Sequence, residues 1–350
     1  MTVYKTMAEF SNLSSVQFFE EIAPAQKPVV IRGFAKHWPL VDAAQKTPED
    51  FVAYLNQFYT DKKTKMVVAP PSANKRFFYN DDMTDVNYLS GEERVDLFLG
   101  RLLELIDRDV YPAISMQNSI TSEILPGLVK ENTSDIFPEL EPRLWIGNEG
   151  IVSAHYDGSD NVACVVAGRR RFILFPPEQT CHLYPGSLNF TPAGAPTSLV
   201  DLNNPDFERY PLYKLALAEA YSVELGPGDA IFIPMLWWHH VESLEKVNAL
   251  MNYWWNGSSG PNSVSPSPID SLNLALLAMR DLTPKQRDAW RSMFDHYVFH
   301  QDLDSQSHPK SYIPKHQQHI LGDLSAEDVR TIKDYFIAKL QKDTTMGGKK

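Results

Sequence analysis

Ile151-Val-Ser-Ala-His155-Tyr156-Asp157 sets an imidazole and a carboxylate two residues apart in a run of strand-forming residues. A strand sends alternate side chains to opposite faces, so His155 and Asp157 project to the same side. A second stretch, Gly226-Pro-Gly-Asp-Ala-Ile-Phe-Ile-Pro-Met-Leu-Trp237-Trp238-His239, reads as a turn, an apolar strand and a histidine at its end. Two imidazoles and one carboxylate, distant in sequence and brought together in space, form the ligand set of a mononuclear non-haem iron(II) centre with open positions. His240 competes with His239 for the third place, because strand alternation lets only one of them face inward.

Outward from these segments, short β runs lie between Gly and Pro punctuation at 144–147, 151–157, 161–166, 169–175, 222–225 and 230–233. Many short strands with turn signals predict a barrel or a sandwich. Residues 184–221 interrupt them with a Pro- and Asn-rich excursion, and so long a loop inside a compact fold is often functional. Upstream, Ser14 or Ser15 caps a helix through Ile22, and 27–33 reads as a buried strand. Thr47-Pro48-Glu49-Asp50 starts a helix, and 92–107 carries apolar residues at helical spacing. Downstream, Ser- and Pro-rich 258–267 reads as a linker. Helices follow over 269–280, from the capping box Thr283-Pro-Lys-Gln286 towards Phe299, and from Ser325 through Leu340. The expected organisation is a domain over 1–257 with its metal-binding core at about 143–256, a helical region at 258–343, and a disordered tail at 344–350.

The 350 residues are 43% hydrophobic and 22% charged, as in an ordinary globular protein with a sizeable core. A net charge of −11 argues against nucleic acid as the main partner, since phosphate binding needs a basic surface. No apolar run is long enough to span a membrane, and the first twenty residues lack the apolar core of a secretory signal. Two cysteines, Cys164 and Cys181, without CxxC spacing give no disulfide framework, so a cytoplasmic location is expected. Cys164 reads as a small core residue. Trp237, Trp238, Tyr253, Trp254 and Trp255 concentrate aromatic surface near the histidine, and core packing accounts for most of them.

Several motifs resemble, in order and spacing, the cupin-type JmjC oxygenases. They are Leu144-Trp-Ile-Gly147, His155-Tyr-Asp157, Gly168-Arg-Arg-Arg-Phe-Ile-Leu-Phe-Pro-Pro177, Leu183-Tyr-Pro185, Gly226-Pro-Gly-Asp229 and Ile233-Pro-Met-Leu-Trp-Trp-His239. Within that family they are most similar to the asparaginyl hydroxylase that modifies hypoxia-inducible factor and to its bacterial relatives. Pro28-Val-Val-Ile-Arg-Gly-Phe-Ala-Lys-His-Trp-Pro39 is similar to the N-terminal segment of the same group, so the resemblance covers roughly residues 27–257. It implies a mainly β chain with helices, folded as a double-stranded β-helix (cupin or jelly roll) with N-terminal α/β elements and a C-terminal helical appendage. It also implies iron(II) and the co-substrate 2-oxoglutarate.

By that resemblance His155, Asp157 and His239 are the iron ligands, because the family ligand directly follows the tryptophan pair. The family anchors the distal carboxylate of 2-oxoglutarate with a lysine, and Arg170 stands at that position. Asn161 and Asn252 match positions that contact the co-substrate or support the metal. Ser153 stands where the family often carries a hydroxyl near the co-substrate, in a segment one residue shorter here. A family tyrosine that also contacts 2-oxoglutarate is replaced by Ser115, and Gln117 is a candidate for the substrate groove. The implied activity is hydroxylation of an amino-acid side chain in a protein or peptide. N-methyl-lysine demethylation, small-molecule hydroxylation and a non-catalytic cupin-like binding protein are the alternatives. The C-terminal helices suggest a homodimer.

Overall fold

Short, largely apolar runs build two sheets in the computed structural model, which describes residues 4–255, 266–299 and 309–346. The strands, in chain order, are β1 (Ala8–Ser11), β2 (Val29–Arg32), β3 (Lys63–Ala69), β4 (Arg76–Phe77), β5 (Leu89–Arg94), β6 (Ala113–Ile120) and β7 (Arg143–Gly147). They continue with β8 (Gly150–His155), β9 (Asp160–Ala167), β10 (Arg170–Phe175), β11 (Tyr221–Leu225), β12 (Ala230–Ile233), β13 (Trp238–Ser243) and β14 (Asn248–Trp255). One sheet runs β1-β2-β12-β9-β14-β7-β6-β3-β5, the other β11-β10-β13-β8-β4. Large mixed sheets with flanking helices are the cupin or jelly-roll architecture.

The central strands divide their side chains between two cores. On β9, Val162, Cys164 and Val166 join a cluster with Phe18, Leu40, Phe51 and Phe98 from the N-terminal helical segments. Ala163 and Val165, on the opposite face, pack with Phe172 and Leu174 of β10 and Ile231 of β12, between the two sheets. A third cluster covers the outside of the smaller sheet. There Ile173, Phe175 and Trp238 meet Tyr213, Ala216 and Leu217 of the helix Tyr213–Glu219, which lies within the long excursion. Cys164 is fully buried, and burial pushes its thiol well above the ordinary value.

Two local expectations need correction. Residues 92–107 are not one helix: Leu89–Arg94 pairs antiparallel with β3, and the helix starts at Val95. His239 does not end the strand that begins at Ala230. That strand stops at Ile233, before Pro234, and His239 is the second residue of the next one, β13. Proline has no N–H to continue a ladder.

The chain divides into two compact units, 1–257 and 258–350. The second unit contains the helices Pro268–Met279, Pro284–Tyr297 and Ala326–Met346, the middle one opened by the expected Thr283–Gln286 capping box. The last helix extends to Met346, beyond the expected start of the tail, while 347–350 and most of the expected linker lie outside the described residues. No described helix is long and apolar enough to cross a membrane.

Candidate metal and co-substrate site

β8 and β13 are antiparallel neighbours, and their register sets His155 opposite His239. Ser153 and Ala154 of β8 together oppose the single residue His240, a β-bulge. The extra residue turns Val152 and His155, three apart, to the same cavity. Asp157 follows the end of β8. Its carbonyl accepts a 2.9 Å hydrogen bond from Leu236 N, which ties it to the turn before β13.

Ligating atoms of His155, Asp157 and His239 all lie within 4.8 Å of one another. Each imidazole is oriented by a backbone carbonyl. His155 Nδ1 is 2.9 Å from Ser153 O, and His239 Nδ1 is 3.0 Å from Trp237 O. Such bonds fix the tautomer and leave Nε2 with its lone pair free for a cation. Burial first, and then the adjacent His239 imidazole, push the His155 pKa down, keeping the ring neutral as a ligand must be. His240 faces the other way. Its Nε2 meets the Glu242 carboxylate at 3.1 Å, on the outside of the sheet.

The three residues line a cavity of about 680 Å³ between the sheets, together with Arg170, Asn161 and Asn252. Gly168, with φ of 67°, turns the chain from β9 into β10; a Cβ there would lie 2.5 Å from Val247 O. Arg170 then points inward, 9% exposed, and its Nε is buried with no hydrogen-bond partner among the described residues. Burial alone pushes its pKa down to about 10, with no carboxylate opposing the shift. Arg169 and Arg171 project outward and pair with Glu245 at 2.7 Å and Glu242 at 3.1 Å. A buried guanidinium without a counter-ion is costly, and a ligand carboxylate is the group that would relieve it. The donor set and this orphaned cation fit iron(II) with 2-oxoglutarate.

Trp145 Nε1 donates to Asn252 Oδ1 at 2.9 Å, and Asn252 Nδ2 donates to Asn161 Oδ1 at 3.2 Å. Ser153 is not brought to the cavity. The bulge turns it outward, where its hydroxyl accepts 2.7 Å from Arg76 Nε. Ser115 does not line the cavity, whereas Gln117 does. Of the aromatic concentration only Trp254 lines it: Trp237, Trp238 and Tyr253 are built into the three cores, and Trp255 packs on one of them. Sequence reasoning missed Trp145 as a polar group, and it missed the rim formed by Lys63, Lys65 and Arg143. Trp145 stands inside the motif Leu144–Gly147 and Arg143 directly precedes it, whereas Lys63 and Lys65 lie on β3, which carries no motif.

The cupin-like domain family matches residues 15–260, and the chain belongs to it, within the cupin-like JmjC domain proteins. The tRNA wybutosine-synthesizing protein 5 of Gallus gallus is 26% identical over 78% of this chain and 87% of its own length. HSPB1-associated protein 1 of Homo sapiens is 38% identical over 33% of this chain, which spans 23% of that protein. Lysine-specific demethylase JMJ31 of Arabidopsis thaliana is 33% identical over 40% of this chain and 25% of its own length. These relatives carry the likeness at the level of the domain. The closer likeness to the asparaginyl hydroxylase rests on the sequence motifs alone.

Proposed function

We propose that the protein is an iron(II)- and 2-oxoglutarate-dependent oxygenase that hydroxylates an amino-acid side chain in a protein or peptide. The observation that carries the reading is Arg170, whose buried Nε has no partner among the described residues, in the same cavity as the His155, Asp157 and His239 triad. Iron(II) with 2-oxoglutarate, when bound, supplies dioxygen activation and transfer of one oxygen atom to a carbon. The chain supplies the rest. His155 and His239 present neutral nitrogens, Asp157 lowers the net charge of the centre, and Arg170 holds the distal carboxylate. Phe172, Ile233, Val241 and Leu250 line the cavity and exclude water from its walls.

The test is succinate formation by anaerobically purified protein given iron(II), 2-oxoglutarate and air, beside His155→Ala and Asp157→Ala. Metal-dependent succinate that disappears in both variants supports the reading. Absence of succinate together with absence of 2-oxoglutarate binding overturns it in favour of a non-catalytic cupin-like protein.

A second reading, hydroxylation of an RNA nucleoside, is favoured by one observation. The relative aligned over most of both chains is named for tRNA modification, and Lys63, Lys65 and Arg143 stand on the cavity lining. Mass screening of peptides and RNA for the gain of one oxygen, with formaldehyde release as the sign of demethylation, separates these substrates. The reading includes a cytoplasmic location, supported by the free thiols Cys164 and Cys181. It also includes a homodimer through 258–343, supported by the exposed Leu272, Leu277, Trp290 and Tyr335. Light scattering at the mass of one chain would overturn the dimer.

A further inference from the structure

We infer that Trp145 is a positioning residue: its indole N–H fixes the polarity of the Asn252–Asn161 amide pair, so that Asn161 offers only N–H donors to the cavity beside the metal triad. The inference rests on the reading above and adds a residue to it.

An indole nitrogen is a donor and never an acceptor. The atom of Asn252 facing Trp145 Nε1 at 2.9 Å is therefore the carbonyl oxygen. That choice turns the Asn252 amide nitrogen towards Asn161, at 3.2 Å, and only the Asn161 oxygen can receive it. The Asn161 amide nitrogen is left for the cavity, which Asn161 lines at 5% exposure. Without the indole N–H the pair could reverse with no loss of hydrogen bonds between the two amides, and an oxygen would then face the cavity. An oxygen repels a carboxylate that an N–H would hold.

The register supports this route. Asn252 pairs with Ala163 and Arg143, Asn161 with Trp254 and Ile233, so neither amide can swing out of the interior. Trp145 itself is held on β7 opposite Leu250 of β14, with its ring edge-to-face against Trp254 at 6.3 Å. Among the described residues no other side-chain hydrogen bond is recorded for Asn161. The site therefore selects ligand groups that accept hydrogen bonds, as a carboxylate or 2-oxo oxygen does, and disfavours groups that donate them.

The experiment is an anaerobic titration of the full chain, loaded with manganese(II) in place of iron(II), with 2-oxoglutarate. The proteins compared are wild type, Trp145→Phe, Asn252→Ala and the double variant. The expected result is a Kd raised about tenfold in Trp145→Phe, the loss of about one well-placed hydrogen bond. Manganese affinity and the unfolding midpoint stay near wild type. Because Trp145 acts through Asn252, adding Trp145→Phe to Asn252→Ala should change the Kd no further. An unchanged Kd in Trp145→Phe, an additive double variant, or a parallel loss of manganese affinity would each overturn the inference. Failure of the wild type itself to bind 2-oxoglutarate would overturn the oxygenase reading and this inference with it.

Discussion

The two faces of the smaller sheet treat the same residue types in opposite ways. On the outer face every charge has a partner: Arg169 with Glu245, Arg171 with Glu242, His240 with Glu242, and Arg76 with Ser153. On the inner face, one residue away along the same strands, Arg170 Nε has none among the described residues, and His155 and His239 turn their Nε2 atoms to the cavity. Satisfied polar groups stabilise the fold, and buried unsatisfied ones cost free energy unless a ligand completes them. The difference separates structure from function within a single strand, more sharply than residue type does.

The strongest way to break that contrast is to exchange neighbours on β13. His239→Ala should cost more than the roughly 10–100-fold in metal affinity that loss of an outer hydrogen-bond partner costs. His240→Ala should keep the metal stoichiometry of wild type, read by metal analysis after dialysis.

Next in size is the pair on β10. Arg170→Met should weaken 2-oxoglutarate binding by about 10–100-fold, the range for a hydrogen-bonded charge, measured by calorimetry. In the ligand-free protein the same change should leave the unfolding midpoint equal or higher, because it removes an unpaired buried cation. Arg171→Met should leave 2-oxoglutarate binding alone and cost at most about 1 kcal/mol, since its own side chain is half-exposed and Glu242 keeps His240 and Asn203.

Glu242 tests the outer face through pH. Its carboxylate accepts from His240, Asn203 and Arg171, and the His240 bond foremost holds its pKa below the ordinary carboxylate value. A depressed folded pKa contributes stability that is present above the unfolded value and lost as pH falls through the folded one. Glu242→Ala should cost about 1–3 kcal/mol at neutral pH and flatten the acid limb of a denaturation series. An effect as small as that of Arg171→Met is expected of Ser153→Ala: about 1 kcal/mol of stability, from the Arg76 bond, with 2-oxoglutarate affinity unchanged.

Much of this contrast was legible before the fold. Short β runs between Gly and Pro signals placed the core strands, and the pairing of His155 with Asp157 anticipated two groups on one cavity, although Asp157 lies past the end of β8. The family resemblance already singled out Arg170 of the Arg169-Arg170-Arg171 run, and strand alternation sends its two neighbours to the other face. What misled was local. Residues 92–94 carry glutamates and arginine that suit a helix start, yet pairing with β3 makes them strand. Ser153 matched a family hydroxyl position by count, and a one-residue bulge sends it to the other face.

The sequence by itself determined which residues have the chemistry for a metal and an anion, because ligand type and strand periodicity are properties of the chain alone. Only the tertiary structure decided which of those groups are left without partners. That depends on register, on a bulge and on a donor-only indole from a distant strand, and none of these has a local signature. Trp145 shows the difference most plainly: in the sequence it is one member of the motif Leu144–Gly147, and across the sheet its single N–H sets the direction of two amides.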